Sequence, residues 1–107
     1  MERALAALTA AALAAGAALV AAAGAGAHTV TMDGVQYAPA QLTVHAGERI
    51  VWMNKDPFPH TVTADNKAFD SGSIAANGSW TFIAKKPGEY PYHCTFHPTM
   101  KGLLTVR

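Results

Sequence analysis

Tyr90-Pro91-Tyr92-His93-Cys94-Thr95-Phe96-His97-Pro98-Thr99-Met100 sets a thiol, an imidazole and a thioether at three-residue intervals, at Cys94, His97 and Met100. Three donors so spaced converge only if the chain folds back sharply, which Pro98 and the short spacers favour. Thiolate and thioether are soft donors, and two His, one Cys and a weak axial Met form the set that suits copper in electron transfer. One imidazole is missing from the stretch. His60 supplies it most readily, because in Asn54-Lys55-Asp56-Pro57-Phe58-Pro59-His60-Thr61-Val62 it follows a proline-rich loop and precedes alternating Thr and Val. The expected ligands of a single copper ion are therefore His60, Cys94, His97 and Met100.

Working back from that stretch, the chain reads as short strands and turns. His28-Thr29-Val30-Thr31-Met32 alternates, Asp33-Gly34 is a turn pair, and Val35-Gln36-Tyr37 resumes before Pro39. Gln41-Leu42-Thr43-Val44-His45 puts Leu42 and Val44 on one face and turns His45 away from it. Ile50-Val51-Trp52-Met53-Asn54 is apolar on both faces, as a central strand between two layers is. The two-residue period places His60 with Val62, so the candidate ligand points coreward. Asp65 to Ala76 reads as a loop around a short strand near Phe69. Asn77-Gly78 signals a hairpin, and it outweighs the glycosylation reading of Asn77-Gly78-Ser79. Trp80 and Phe82 share a face, as do Tyr90, Tyr92 and Cys94, which leaves Pro91 at an edge or a non-bonded position. Gly102 to Arg107 closes the chain. The count is seven to eight strands, an all-β sandwich.

The N-terminus reads differently. Met1-Glu2-Arg3 precedes 24 uncharged residues, Ala4 to Ala27, that end in small side chains. Residues 1–27 are expected to be a secretory signal and 28–107 the mature domain. An uncleaved membrane anchor is the rival, since the run is long enough to span a bilayer, and N-terminal sequencing separates the two. Eighty residues make one small domain that gains from a staple such as a bound metal. The lone Cys94 cannot form an internal disulfide, and in an exported chain its neighbours favour use as a ligand.

Composition excludes several classes. The mature part carries seven Lys/Arg and six Asp/Glu, too balanced for a nucleic-acid stripe or a one-signed steering field. Cys94 and His97 lack the third orienting group that nucleophilic catalysis needs. Zinc gives no reason for Met100, and haem attachment needs a second cysteine. Met32 and Met53 read as core filler, and His45 and His93 as solvated. A multicopper oxidase or nitrite reductase needs further copper sites that 80 residues cannot build, so the chain is not expected to be an enzyme.

Cys94-Thr95-Phe96-His97-Pro98-Thr99-Met100, the upstream Tyr92-His93, Trp52-x-Asn54 and Pro59-His60 resemble the cupredoxins, and among them the short ligand loop of amicyanin. The resemblance spans essentially 28–107. It implies a plastocyanin-like Greek-key sandwich in the periplasm, monomeric, shuttling single electrons through type 1 copper. It also implies that His97 is the solvent-facing ligand, inside an apolar patch that docks redox partners such as a dehydrogenase, cytochrome c or oxidase. Three residues depart from the pattern. Thr61 stands where most members have Asn after the first His, and should tie the two ligand loops with a shorter side chain. Phe96 replaces a proline and should bring a further N–H to the thiolate, raising the reduction potential. Phe58 and Thr99 alter the docking face, so an amine dehydrogenase partner is not implied. A second reading stays open: if the signal is cut after Ala27, the amine and imidazole of His28 form a Cu(II) chelate of the kind a copper chaperone or sequestering protein uses.

Overall fold

The computed structural model describes residues 26–107. The expected signal segment lies outside the described residues except for Gly26 and Ala27. Alternating burial organises eight strands: β1 (Ala27–Met32), β2 (Tyr37–Ala38), β3 (Gln41–Val44), β4 (Arg49–Asn54), β5 (Thr63–Ala64), β6 (Ser79–Ile83), β7 (Gly88–His93) and β8 (Lys101–Val106). They form two four-stranded sheets, ordered β2-β1-β4-β6 and β3-β8-β7-β5. Among the described residues there is no helix. The all-β sandwich expected from the sequence is therefore what the chain builds, with the upper of the two strand counts.

Two pairings are parallel, β1 with β4 and β3 with β8, and the rest are antiparallel. Apart from the β1–β2 and β7–β8 connections, every link carries the chain from one sheet to the other. The two layers are thus laced together, and the links leaving β4 and β7 meet at one end of the sandwich.

Between the sheets lie Val30, Met32, Ile50 and Trp52 from one layer and Val44, Tyr92, Leu104 and Val106 from the other, all buried. Burying one such aliphatic side chain contributes about 1.5–3 kcal/mol, so this set offsets much of the ordering entropy of a small domain. Trp52 stands at its centre, with ring centroids 5.5 Å from Trp80, 5.7 Å from Tyr92 and 6.3 Å from Phe69. Its indole N–H donates to the Tyr92 hydroxyl at 3.3 Å. Gly102, paired with Tyr92 across β7 and β8, leaves room for the phenol ring, which a Cβ at that position would strike.

Some local expectations are corrected. β4 sits between β1 and β6, but only its Ile50 and Trp52 face is buried. Met53 is 39% exposed, because among the described residues no second layer covers the outer face of this sheet. The alternation that begins at His60 yields a strand only at Thr63–Ala64, and His60 makes an isolated bridge with Ile74 instead. Near Phe69 only a bridge between Thr63 and Asp70 forms. The β1–β2 turn is shifted by one residue, with positive φ at Gly34 (63°) and Val35 (59°) and the Asp33 N–H donating to the Gln36 carbonyl. Asn77 also has positive φ, but its turn leads from a loop into β6 and closes no hairpin between strands.

Candidate metal centre

His60 is set by its backbone. After β4 the chain runs through Lys55–Pro59, and His60 then exchanges two hydrogen bonds with Ile74, at 3.1 and 2.7 Å. Its ring is wholly buried. Cys94 follows β7 directly and Met100 precedes β8 directly. The loop between them is closed by Cys94 N–H to the Met100 carbonyl (3.1 Å) and Met100 N–H to the His97 carbonyl (2.9 Å). That double closure is the sharp reversal the spacing demanded.

The two loops meet. Cys94 Sγ lies 3.7 Å from His60 Nδ1 and 3.7 Å from His97 Nδ1. One donor atom from each of His60, Cys94 and His97 falls within 4.8 Å of the other two, so the three can hold one metal ion. A sulfur and a nitrogen bound at about 2.3 and 2.0 Å around a tetrahedral ion sit about 3.5 Å apart. The observed spacing matches that separation. Met100 is buried at the closing end of the same loop.

Thr61 ties the loops as its position in the sequence suggested. Its N–H donates to Cys94 Sγ at 3.3 Å, and its Oγ1 accepts the Thr95 N–H at 2.9 Å. Tyr37 reaches over from β2 and donates its hydroxyl to the Thr61 carbonyl at 2.6 Å. Burial, with Cys94 and Tyr92 close by, pushes the Tyr37 hydroxyl well above its ordinary range, so it remains a neutral donor.

Two residues carry functions that pattern reading did not assign. Asn54, buried at the end of β4, donates its amide to the carbonyls of Phe58 and Ile74 at 2.9 and 3.0 Å, and so fastens the loop that carries His60. Asp56, 6% exposed, accepts from His60 Nε2 at 2.7 Å and from the N–H groups of Gly34 and Val35. With Nε2–H directed at a carboxylate, Nδ1 keeps its lone pair towards Cys94. An aspartate four residues before a loop histidine was the only sequence signal.

Burial pushes the Asp56 carboxyl up, but the hydrogen bonds from His60, Val35 and Gly34 outweigh it and hold it below the usual carboxylate range. Glu48, just before β4, is likewise held low by the backbone of His45 and the side chain of His28. A carboxylate with a depressed folded-state pKa contributes stability above its unfolded value, and loses it as pH falls through the folded value. Thermal melts of the metal-free protein should therefore change little from about pH 7 to about pH 5 and decline below about pH 4. A melting temperature constant down to about pH 3 would contradict the role of these two groups.

The third imidazole is different. His97 is half-buried, and on the two ligand loops Pro57, Phe58, Pro59, Phe96 and Pro98 are exposed. Phe58 packs 5.3 Å from the His60 ring and 5.5 Å from the His97 ring, centroid to centroid. One expectation fails here: Thr61 is the only backbone donor to Cys94 Sγ among the described residues, so the Phe96 N–H does not add one. The Phe96 side chain projects outward, 51% exposed. His93 stays part-exposed, and there its Nδ1 pairs with Asp65 at 2.6 Å.

A cupredoxin-like domain profile matches residues 4–106. The chain belongs to the cupredoxin family. This cupredoxin is 34% identical to amicyanin-alpha of Methylorubrum extorquens across 96% of its own length and 92% of that protein. It is 31% identical to the amicyanin of Paracoccus versutus and 33% identical to the chloroplastic plastocyanin of Physcomitrium patens, over 72% and 88% of this chain. It spans slightly under two thirds of those two relatives, 62% and 66% of their lengths. Among solved structures, a proline-to-phenylalanine variant of amicyanin in its reduced state superposes with a TM-score of 0.70 at 29% identity, covering 77% of this chain and 83% of that one. A purple cupredoxin from Nitrosopumilus maritimus gives 0.70 at 26% identity, over 75% of this chain and 99% of that one. The grouped donors themselves fit copper: a buried Cys sulfur and two imidazoles presented through Nδ1 are ligand types that ion takes, and the buried Met100 closes the same loop.

Proposed function

We propose that this cupredoxin is an exported, periplasmic one-electron carrier that holds one copper ion with His60, Cys94, His97 and Met100. The observation that carries this reading is the 3.7 Å convergence of Cys94 Sγ on two imidazoles from loops 34 residues apart, one buried and one at the surface. Bound copper supplies a Cu(I)/Cu(II) couple.

The chain supplies the remainder. The Cys94 thiol gives up its proton on metal loading, and the Thr61 N–H stabilises the resulting thiolate. Backbone bridges at His60 and the doubly closed Cys94–Met100 loop fix the donors, so little rearranges when charge changes. The half-buried His97 edge offers the exit path, and the apolar ring around it excludes water from a docked partner. The partner this surface fits is a redox protein with an apolar face over its own cofactor. His60, Cys94 and Met100 are each no more than 2% exposed, which suits a resident ion over a cargo handed onward. The imidazole of His28, which the chaperone reading would use, is directed at Glu48, with Nε2 3.2 Å from Oε1.

Voltammetry of the copper-loaded protein should give a single reversible one-electron wave. An irreversible wave, or copper lost on reduction, would favour the sequestering reading. Docking has its own test. Phe96→Ser should leave the potential unchanged, because the side chain points outward, and should slow transfer to a partner about 10-fold, the scale of an interface aromatic worth about 1–2 kcal/mol. An unaltered rate would move the docking face elsewhere.

A further inference from the structure

The β1–β2 turn is connected to the metal-facing imidazole through a single side chain. Gly34 and Val35, the central residues of the turn, both have positive φ, and their N–H groups point at one carboxylate. Gly34 N–H meets Asp56 Oδ1 at 2.8 Å and Val35 N–H meets Oδ2 at 2.9 Å. The same Oδ2 accepts from His60 Nε2 at 2.7 Å. Behind it, the Asp56 N–H is held by Asn54 Oδ1 at 2.9 Å. Positive φ is a genuine outlier for a β-branched residue, so Val35 occupies a conformation that the surrounding structure must impose. Successive N–H groups in that conformation form an anion-binding concavity. Here the anion is Asp56, and among the described residues no Lys or Arg pairs with it.

We infer that Asp56 is a positioning residue that sets the donor strength of His60, and thereby the relative stability of the two copper valences, with the β1–β2 turn as its support. The inference rests on the copper reading of the same site. An imidazole that shares its Nε2–H with a carboxylate carries more negative charge on Nδ1. Such a donor favours the more highly charged ion, so Asp56 lowers the reduction potential. A role confined to holding the loop predicts no such bias.

The test compares Asp56→Asn and Asp56→Glu with the parent in copper-loaded form, alongside NMR of the metal-free protein. Asp56→Asn preserves size and hydrogen-bonding capacity but removes the charge. It should keep the visible colour and weaken Cu(II) binding relative to Cu(I) by about 10- to 100-fold, a rise in potential of about 59–118 mV. Asp56→Glu retains the charge on a longer stem and should shift the potential by less than Asp56→Asn does. In the metal-free parent, the His60 Nε2–H proton should resonate far downfield and exchange slowly, and Asp56→Asn should move it upfield. An unchanged potential in Asp56→Asn, or equal shifts in both variants, would overturn the inference. So would an ordinary, rapidly exchanging Nε2–H in the parent, a result that does not depend on either variant folding. If the parent binds no copper in a coloured site, the copper reading fails by itself, while the NMR readout still decides whether Asp56 controls the imidazole.

Discussion

Cys94→Ser abolishes the visible colour of the copper-loaded protein and removes the stability that copper confers. The colour is expected from charge transfer between the Cys94 thiolate and Cu(II), and a hydroxyl cannot replace a soft sulfur donor. The fold should survive the change. Serine is of similar size, it can accept the Thr61 N–H that now reaches Sγ, and the Cys94 N–H bond to the Met100 carbonyl belongs to the backbone. The stability effect is large because the site joins two loops that meet only in the folded state. An ion present at about 1,000 times its dissociation constant adds about 4 kcal/mol to the folded state. For a domain of this size, each kcal/mol moves the melting temperature by about 4–8 °C. Melting curves with and without copper should therefore differ by roughly 15–30 °C in the parent and hardly at all in Cys94→Ser. An equal copper-dependent gain in both proteins would remove the thiolate from the site.

Trp52→Ala is expected to have the largest effect on the metal-free fold. Trp52 is wholly buried, packs on Trp80, Phe69 and Tyr92, and holds the Tyr92 hydroxyl through its indole N–H. Truncating a buried Trp costs about 3–5 kcal/mol, and small domains have roughly 5–15 kcal/mol in total. Tyr92 lies on the strand that delivers Cys94, so loss of its packing loosens the ligand loop as well. Urea titration should show a midpoint far below the parent's, partly restored by copper. Trp80→Ala, on the half-exposed face of an edge strand, should cost clearly less. Equal midpoints for the two variants would contradict a core centred on Trp52.

Much of this was legible in the sequence because its signals are local. Two-residue alternation marked β1, β3, β6 and β7, and the three-residue donor spacing in 94–100 required a closed loop. What escaped depends on contacts between distant segments. The burial of β4 on one face only follows from the absence, among the described residues, of a layer outside that sheet, which the apolar residues Val51 and Met53 do not announce. His60 needed no long strand, because Ile74 supplies its backbone partners from 14 residues away. The pairing of Asp65 with His93 joins the turn after β5 to the end of β7 and has no local signature. Asp56 is the clearest case. Its partners are a turn more than 20 residues earlier and an imidazole 4 residues later, and only the folded chain brings all three together.

The most direct measurement is electron paramagnetic resonance of the oxidised protein carrying one copper per chain. Strong covalency between Cu(II) and the Cys94 thiolate, with imidazoles from both loops, predicts an unusually small parallel copper hyperfine splitting in a single species. A wide splitting typical of tetragonal nitrogen and oxygen coordination, unaltered by Cys94→Ser, would show that copper lies elsewhere on the chain.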